Sequence, residues 1–342
     1  MSKSAMACSE ANTSNAGASA LKGVTGVIRD YPLLPVLIVL LIAGSFIHPN
    51  FMTGPNLMYN VLEASAPIAI VVLGSVPLLI AAQIDISVES TAGLVPLVAA
   101  WLVVPAASFG LGLELNPFIA LVIALFLAVL IGAVNGYFIV YLKINAFIFT
   151  LAMMILLRGI STGLTNSASL SNLPEVFTYL GTARWFGVPA SIWIAVVMFV
   201  FGIIFMEHHR LGRSIYAIGG NSAAARAAGI RVNTVMFWLF VIAAVCAVIA
   251  GFMVMGRVGA VTASLGQNWI FQVMAAAVLG GVDINGGKGR MVGALLGVLV
   301  LGVVNNLLIL GGVPVFWINA TNGAFIAVAL ILSKVFGGKS TR

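Results

Sequence analysis

The sequence predicts an all-α polytopic membrane protein of about ten transmembrane helices, with the N- and C-termini both on the cytoplasmic side. Three observations lead there. Charged residues make up only 7% of the 342, against roughly a quarter in a soluble domain. Hydrophobic residues make up 61%, with a mean hydropathy of +1.15. The basic residues also segregate to one side of the membrane once the apolar runs are counted. So few charges cannot cover a soluble surface of this size. That excludes a water-soluble enzyme and a nucleic-acid binder, even though the net charge is +7 and the pI near 9.7.

Residues 1–28 are rich in Ser, Ala and Asn and read as a disordered cytoplasmic tail. The stretch is too long and polar to be the head of a signal peptide. The transmembrane domain follows over 29–337, and a short cytoplasmic tail closes the chain over 338–342. A spanning helix needs about 20 apolar residues. Ten runs approach this, at 31–49, 59–82, 86–105, 117–142, 146–164, 190–207, 235–255, 269–282, 291–312 and 315–335. The eighth is short, so it is tilted, broken or re-entrant, which lipid permits only where protein covers the backbone. Cys8 in the tail and Cys246 in an apolar run have no CxxC partner, so neither a disulfide framework nor a metal site is indicated.

With the N-terminus inside, 13 of the 16 basic residues fall on the cytoplasmic side, among them Lys143, Arg210, Arg213, Arg226, Arg231, Lys288 and Arg290. Arg184 and Arg257 fall outside, and Arg158 lies within a span. A shift of one helix scrambles this split, so the positive-inside rule favours the ten-helix count. The stretch 165–189 is then an outer loop with interleaved aromatics, and 207–234 is a basic inner loop.

A charge inside a span is costly and is a functional candidate by default. Glu63, near the outer start of the second run, and Arg158, in the outer half of the fifth, lie at similar depth. They fit either a structural ion pair or a lining for a polar solute. Asp85 and Glu89 are four apart in IDISVES and share a face if that segment is helical. A cation or proton site and a solvated turn are both open readings. Asn60, Asn135, Asn305, Asn306, Asn319 and Asn322 lie in or beside runs. Amides there bond helix to helix and also suit sugar hydroxyls. The 37 glycines, including the Gly293/Gly297 and Gly251/Gly256 pairs, indicate closely packed helices.

Nucleotide and catalytic motifs are missing. Gly337–Ser340 (GGKS) ends like a Walker A, but Ser333 occupies the position of its first glycine and no helix follows. Gly286–Gly289 (GGKG) lacks the Ser or Thr. Neither HExxH nor GxSxG occurs, and His48, His208 and His209 lie at or outside span ends. The chain is therefore expected to be a non-enzyme that binds no cofactor, with any ATP held by another chain.

The inner loop contains one local signal. Gly219 and Gly220 are expected to break any preceding helix, and Asn221 or Ser222 to cap a new one. Ala223–Ala228 favours helix, and Gly229 is a natural stop. A helix of two turns is marginal alone, so docking against a partner is implied.

Four ordered stretches carry a family resemblance. They are Ile84–Ser90; Asn135-Gly136 through Thr150-Leu151 to Arg158-Gly159; Leu211-Gly212-Arg213 with Tyr216–Asn221 and Ala224–Ile230; and Ala275-Ala276, Gly280-Gly281 and Gly286–Gly289. Together they resemble the membrane permeases of ABC-type sugar importers of the ribose, xylose and galactose type, which are related to branched-chain amino acid permeases. The resemblance implies the ABC importer permease fold in a bacterial inner membrane. It also implies a second permease chain (identical or different), a cytoplasmic ATPase that binds ATP, and a periplasmic sugar-binding protein that docks on 165–189. Coupling to the ATPase would rest on Arg213, Gly219, Gly220, Asn221, Ala224, Ala225, Arg226 and Gly229. The candidate translocation residues are Glu63, Gln83, Asp85, Ser87, Glu89, Asn135, Arg158, Gln272 and Asn305. The solute would be a monosaccharide or a related polyol.

Departures from the family pattern are Ala82-Gln83 for Gly-Gly, Glu89 for Gly, Ala146 for Pro, and Ile270 and Gln272 at positions expected to be acidic. They leave sugar alcohols and modified sugars open. The competing expectation is an ion-coupled secondary transporter using Glu63, Asp85, Glu89 and Arg158, which would need no docking helix in the inner loop. An internal similarity of Ala81–Ser87 to Leu279–Asn285 suggests a repeat.

Overall fold

The computed structural model describes residues 31–314, 316–318, 320–324 and 327. The predicted tails 1–28 and 338–342, with Cys8 and GGKS, lie outside the described residues, as do Asn319 and most of the tenth run. The regular elements of the rest are helices apart from one short hairpin. Helix α1 is Leu33–Ile47. A π-helix, Asn56–Glu63, runs directly into α2, Ala64–Ile80. After a non-helical break come α3, Val88–Val103, and α4, Pro117–Gly136, which ends in a second π-turn at Tyr137–Tyr141. Then follow α5, Ala146–Thr165; α6, Glu175–Thr182; the strands β1, Arg184–Trp185, and β2, Val188–Pro189; and α7, Ala190–His208. The chain continues with α8, Arg210–Gly220; α9, Ser222–Ala227; α10, Val232–Val258; α11, Trp269–Leu279; and α12, Met291–Leu310.

Local chemistry sets several of these ends. Asn116 accepts from the Phe118 amide at 2.9 Å, with Pro117 at the first helical position. Asn145 accepts from Ile148 at 3.2 Å. Gly259 closes α10 in the left-handed region, at φ +72°. Each device satisfies backbone groups that a helix end leaves orphaned.

Among the described residues, six helices are long and apolar enough to cross a bilayer. They are 56–80, Pro117–Tyr141, α5, α7, α10 and α12. The remaining predicted runs up to 312 are the shorter apolar helices α1, α3 and α11. The run 269–282 is 11 residues of helix between turns, short as the sequence indicated.

Helix 56–80 is central, with 89% of its apolar window buried against 17% for α5. Helix α10 packs along α2, α3 and α4. Small residues allow it: a Cβ on Gly132 would sit 2.6 Å from Val241 Cα, and one on Gly251 would collide with the Ala92 carbonyl. Gly293 and Gly297 likewise meet the backbone of Gly280 and Ala276 across the α11–α12 crossing. The glycine pairs in the sequence are therefore points of backbone approach.

Two expectations about secondary structure are corrected. Gly219 and Gly220 do not break the preceding helix; both lie inside α8, and the break falls at Asn221. A helical glycine costs only about 1 kcal/mol, and the face Gly212, Ile215 and Ile218 is buried, which outweighs that cost. Asp85 and Glu89 do not share a helix face. Asp85 precedes α3, and its carboxylate accepts from the Ser87 amide at 2.9 Å. This Asx turn competes with helix locally.

Candidate functional site

The two ends of helix 56–80 define two polar regions. At its start, Glu63 lies 4.0 Å from Arg257, whose Nη2 donates to the Tyr59 carbonyl at 3.1 Å. Arg184 donates to the Tyr59 hydroxyl at 2.6 Å and lies over the Tyr59 ring at 4.8 Å. This cluster ties the β1–β2 hairpin and the end of α10 to the π-helix. The expected Glu63–Arg158 pair is thereby corrected: each has a different partner. Helix depth, read from hydropathy, says nothing about which helices adjoin. Tyr59 carried no sequence signal.

At the other end, three segments converge on Ile80. The Gly287 amide donates to the Ile80 carbonyl at 2.7 Å. A Cβ on Gly219 would collide with that carbonyl and lie 2.5 Å from the Gly287 nitrogen. Tyr216 of α8 donates to the Gly289 carbonyl at 3.0 Å. Burial, and then the neighbouring Glu207 carboxylate, push the Tyr216 phenol above its usual range, so it remains a donor. Helix α8 is thus bonded to the 280–290 break and pressed against the end of α2, where the 81–87 break begins. Both breaks carry the same local turn: Asp283 accepts from the Asn285 amide at 2.9 Å as Asp85 does from Ser87. The likeness of Ala81–Ser87 to Leu279–Asn285 thus includes this one turn.

From α8 the chain turns into α9. The Asn221 side chain accepts from both Ala223 and Ala224 at 3.0 Å, and Gly229 leaves the turn at φ +83°. Asn221, Ala224, Arg226 and Gly229 are exposed, and Ala225 alone of α9 is buried. Arg213, on α8, is also exposed. Arg226 donates to Asn233 at 3.1 Å. A cavity of about 800 Å³ opens here, lined by Gln83, Lys143, Gly219, Gly220, Asn221 and Arg226.

Within the first break, Asp85 and Ser87 form a buried triad with Asn135. Ser87 Oγ donates to Asp85 at 2.6 Å. Asn135 donates to Ser87 Oγ at 2.8 Å and to Asp85 Oδ2 at 3.3 Å. The structure brings together these three candidates from 50 residues apart, but it seals them in the core.

Glu89 and Arg158 instead face open space. Arg158 Nη2 is 3.7 Å from Glu89 Oε1. Arg158 Nη1 donates to the carbonyls of Ala263 and Leu265, and Glu89 Oε2 accepts from Ile270 at 3.4 Å. Gly266, at φ +81°, allows the 262–268 turn to press against the Glu89 carbonyl. The pair lines a cavity of about 1340 Å³ between α3, α5 and α11, whose wall includes Thr162, Ser264, Gln267 and Phe271. Gln272 and Asn305 are not there. They line a separate cavity of about 210 Å³ with Asn60 and Asn306. Asn306 and Asn56 exchange two amide hydrogen bonds, at 2.9 and 3.1 Å, an interhelical clasp that sequence reasoning had not paired.

A family profile described as "Branched-chain amino acid transport system / permease component" matches residues 57–333. The ribose import permease protein of Escherichia coli (strain K12) is 36% identical over 311 residues, covering 90% of this chain and 94% of that protein. The ribose import permease protein of Haemophilus influenzae is 32% identical over 307 residues, covering 89% and 92%. The L-arabinose transport system permease protein of Escherichia coli (strain K12) is 34% identical over 330 residues, covering 95% and 97%. No solved structure matches the chain.

Proposed function

The chain belongs to the permease-component family of branched-chain amino acid transport systems, and from that premise we propose that it is the membrane permease subunit of a sugar ABC importer. It passes a monosaccharide or related polyol across the bacterial inner membrane. ATP is hydrolysed on a separate cytoplasmic ATPase, a periplasmic sugar-binding protein delivers the solute, and a second permease chain completes the pathway. In this reading the chain has ten spans over 29–337 and both termini are cytoplasmic. The loop 207–234 is the coupling loop and 165–189 the periplasmic face. The large cavity at Glu89 and Arg158 is the solute's route.

One observation carries the reading. Helix α9 is six residues long, too short to persist by itself. It is nonetheless capped at Asn221, stopped at Gly229 and exposed on most of its surface. It stands on α8, which is bonded to the 280–290 break and packed against the end of α2 at Ile80. A partner pushing on α9 therefore moves segments next to the cavity. An ion-coupled transporter has no use for such an element.

The test is reconstitution with the ATPase and binding protein in vesicles, following labelled D-ribose and L-arabinose. Uptake is expected to require ATP and to survive collapse of proton and sodium gradients. Gradient-driven uptake without ATP overturns the proposal. A Gly229→Val change probes the coupling element. No atom lies within 4 Å of the added Cβ, but φ is +83°, where a branched residue costs about 1–2 kcal/mol locally. The bundle is expected to stay folded and ATP hydrolysis to persist, while uptake per ATP falls by about ten-fold. Unchanged uptake per ATP counts against the coupling role.

A further inference from the structure

We infer that the Glu89–Arg158 pair is the point at which the large cavity reads its solute, binding a hydroxyl between the two groups, and that Glu89 makes the cavity selective for uncharged polyols over sugar acids. This rests on the permease reading above and adds a charge selectivity to it.

The first support is charge. Among the described residues lining the cavity, Glu89 and Arg158 are the only charged side chains. They face each other, so the wall is net neutral. Removing Glu89's charge would leave a single cation in a low-dielectric wall, where it attracts anions far more strongly than it would in water.

The second support is geometry. Arg158 Nη1 is fixed by two backbone carbonyls, while Nη2 is buried and has no hydrogen-bond partner. Glu89 is 6% exposed, and its Oε1 lies 3.7 Å from Nη2. That separation is beyond direct hydrogen-bond reach. An unmade bond at a buried donor costs about 1–3 kcal/mol. A hydroxyl both donates and accepts, so a solute hydroxyl bridges both groups once the 3.7 Å gap widens to admit it. A carboxylate can only accept, and it meets Glu89 as a like charge. The Thr162, Ser264 and Gln267 side chains supply further neutral partners, and Phe271 an apolar face.

The test uses the full chain in lipid nanodiscs, with saturation-transfer NMR read on D-ribose and on D-ribonate, which adds a carboxylate to the same carbon skeleton. The wild type is expected to favour ribose by about ten-fold or more. Glu89→Gln is expected to shift the ratio toward ribonate by about ten-fold, and Glu89→Gln with Arg158→Gln to remove that shift. If Glu89→Gln does not fold, Arg158→Gln is read instead. It leaves the anion alone and is expected to reject ribonate more strongly than the wild type. A wild-type ratio in the folded single variants overturns the inference. ATP-driven ribose uptake by the assembled importer separates this from the parent reading. Uptake with a charge-insensitive ratio sinks only the inference, and a charge-dependent ratio without uptake sinks only the importer.

Discussion

A Gly219→Val permease is expected to lose both stability and transport. The new side chain starts from a Cβ that collides with the Ile80 carbonyl and lies 2.5 Å from the Gly287 nitrogen. Backbone cannot yield there as a flexible side chain can. Either helix α8 moves away, or the valine wedges apart the 2.7 Å bond from Gly287 to Ile80, which joins two other segments. Overpacking costs about 1–3 kcal/mol, and parting that bond adds about 1 kcal/mol in the second case only. The unfolding free energy of the purified chain in mixed micelles should fall by about 1–4 kcal/mol. Uptake by the assembled importer should fall further than stability requires, because the contact that transmits motion is the one lost. Gly220→Ala is the contrast: no atom lies within 4 Å of its Cβ. Its stability should hold or rise by up to about 1 kcal/mol. Equal effects at the two positions would sink the close-approach account.

An Asn135→Leu change is expected to cost about 2–4 kcal/mol of unfolding free energy. Asn135 is fully buried and donates to Ser87 Oγ at 2.8 Å and Asp85 at 3.3 Å. Leucine leaves the carboxyl oxygen Oδ2 and the serine hydroxyl short of a partner in an apolar core, and water cannot replace the lost bonds. The Asx turn before α3 loosens, and α3 carries Glu89. Reversible unfolding in mixed micelles gives the measurement. A loss below about 0.5 kcal/mol would show that the triad does not hold this turn.

Much of the fold was legible along the chain because bilayer thickness imposes a length on every span. The predicted runs up to residue 312 each coincide with an apolar helix, to within a few residues. Asn221 and Gly229 were legible for a different reason: a cap and a stop are local devices whose chemistry acts over three or four residues. Gly219 was misread, since a glycine before a cap resembles a breaker. Its actual role, allowing the Ile80 carbonyl to approach, depends on a segment distant in sequence. The candidate site was legible as a set of residues rather than as an arrangement. The nine candidates divide among the Glu63 cluster, the cavity at Gln83, the sealed triad, the Glu89–Arg158 cavity and the amide-lined cavity of Gln272 and Asn305.

The sequence by itself determined the class of this protein, the position of its apolar helices and the short exposed helix that calls for a partner. Composition, span length and capping are properties of contiguous residues. Tertiary structure alone decided which charges meet. Glu63 goes to Arg257 and Glu89 to Arg158. Inside a membrane an ion pair is governed by separations of a few ångströms between helices whose adjacency leaves no period in the chain. That choice places one neutralised pair in the wall of the large cavity, and with it the selectivity inferred for the solute.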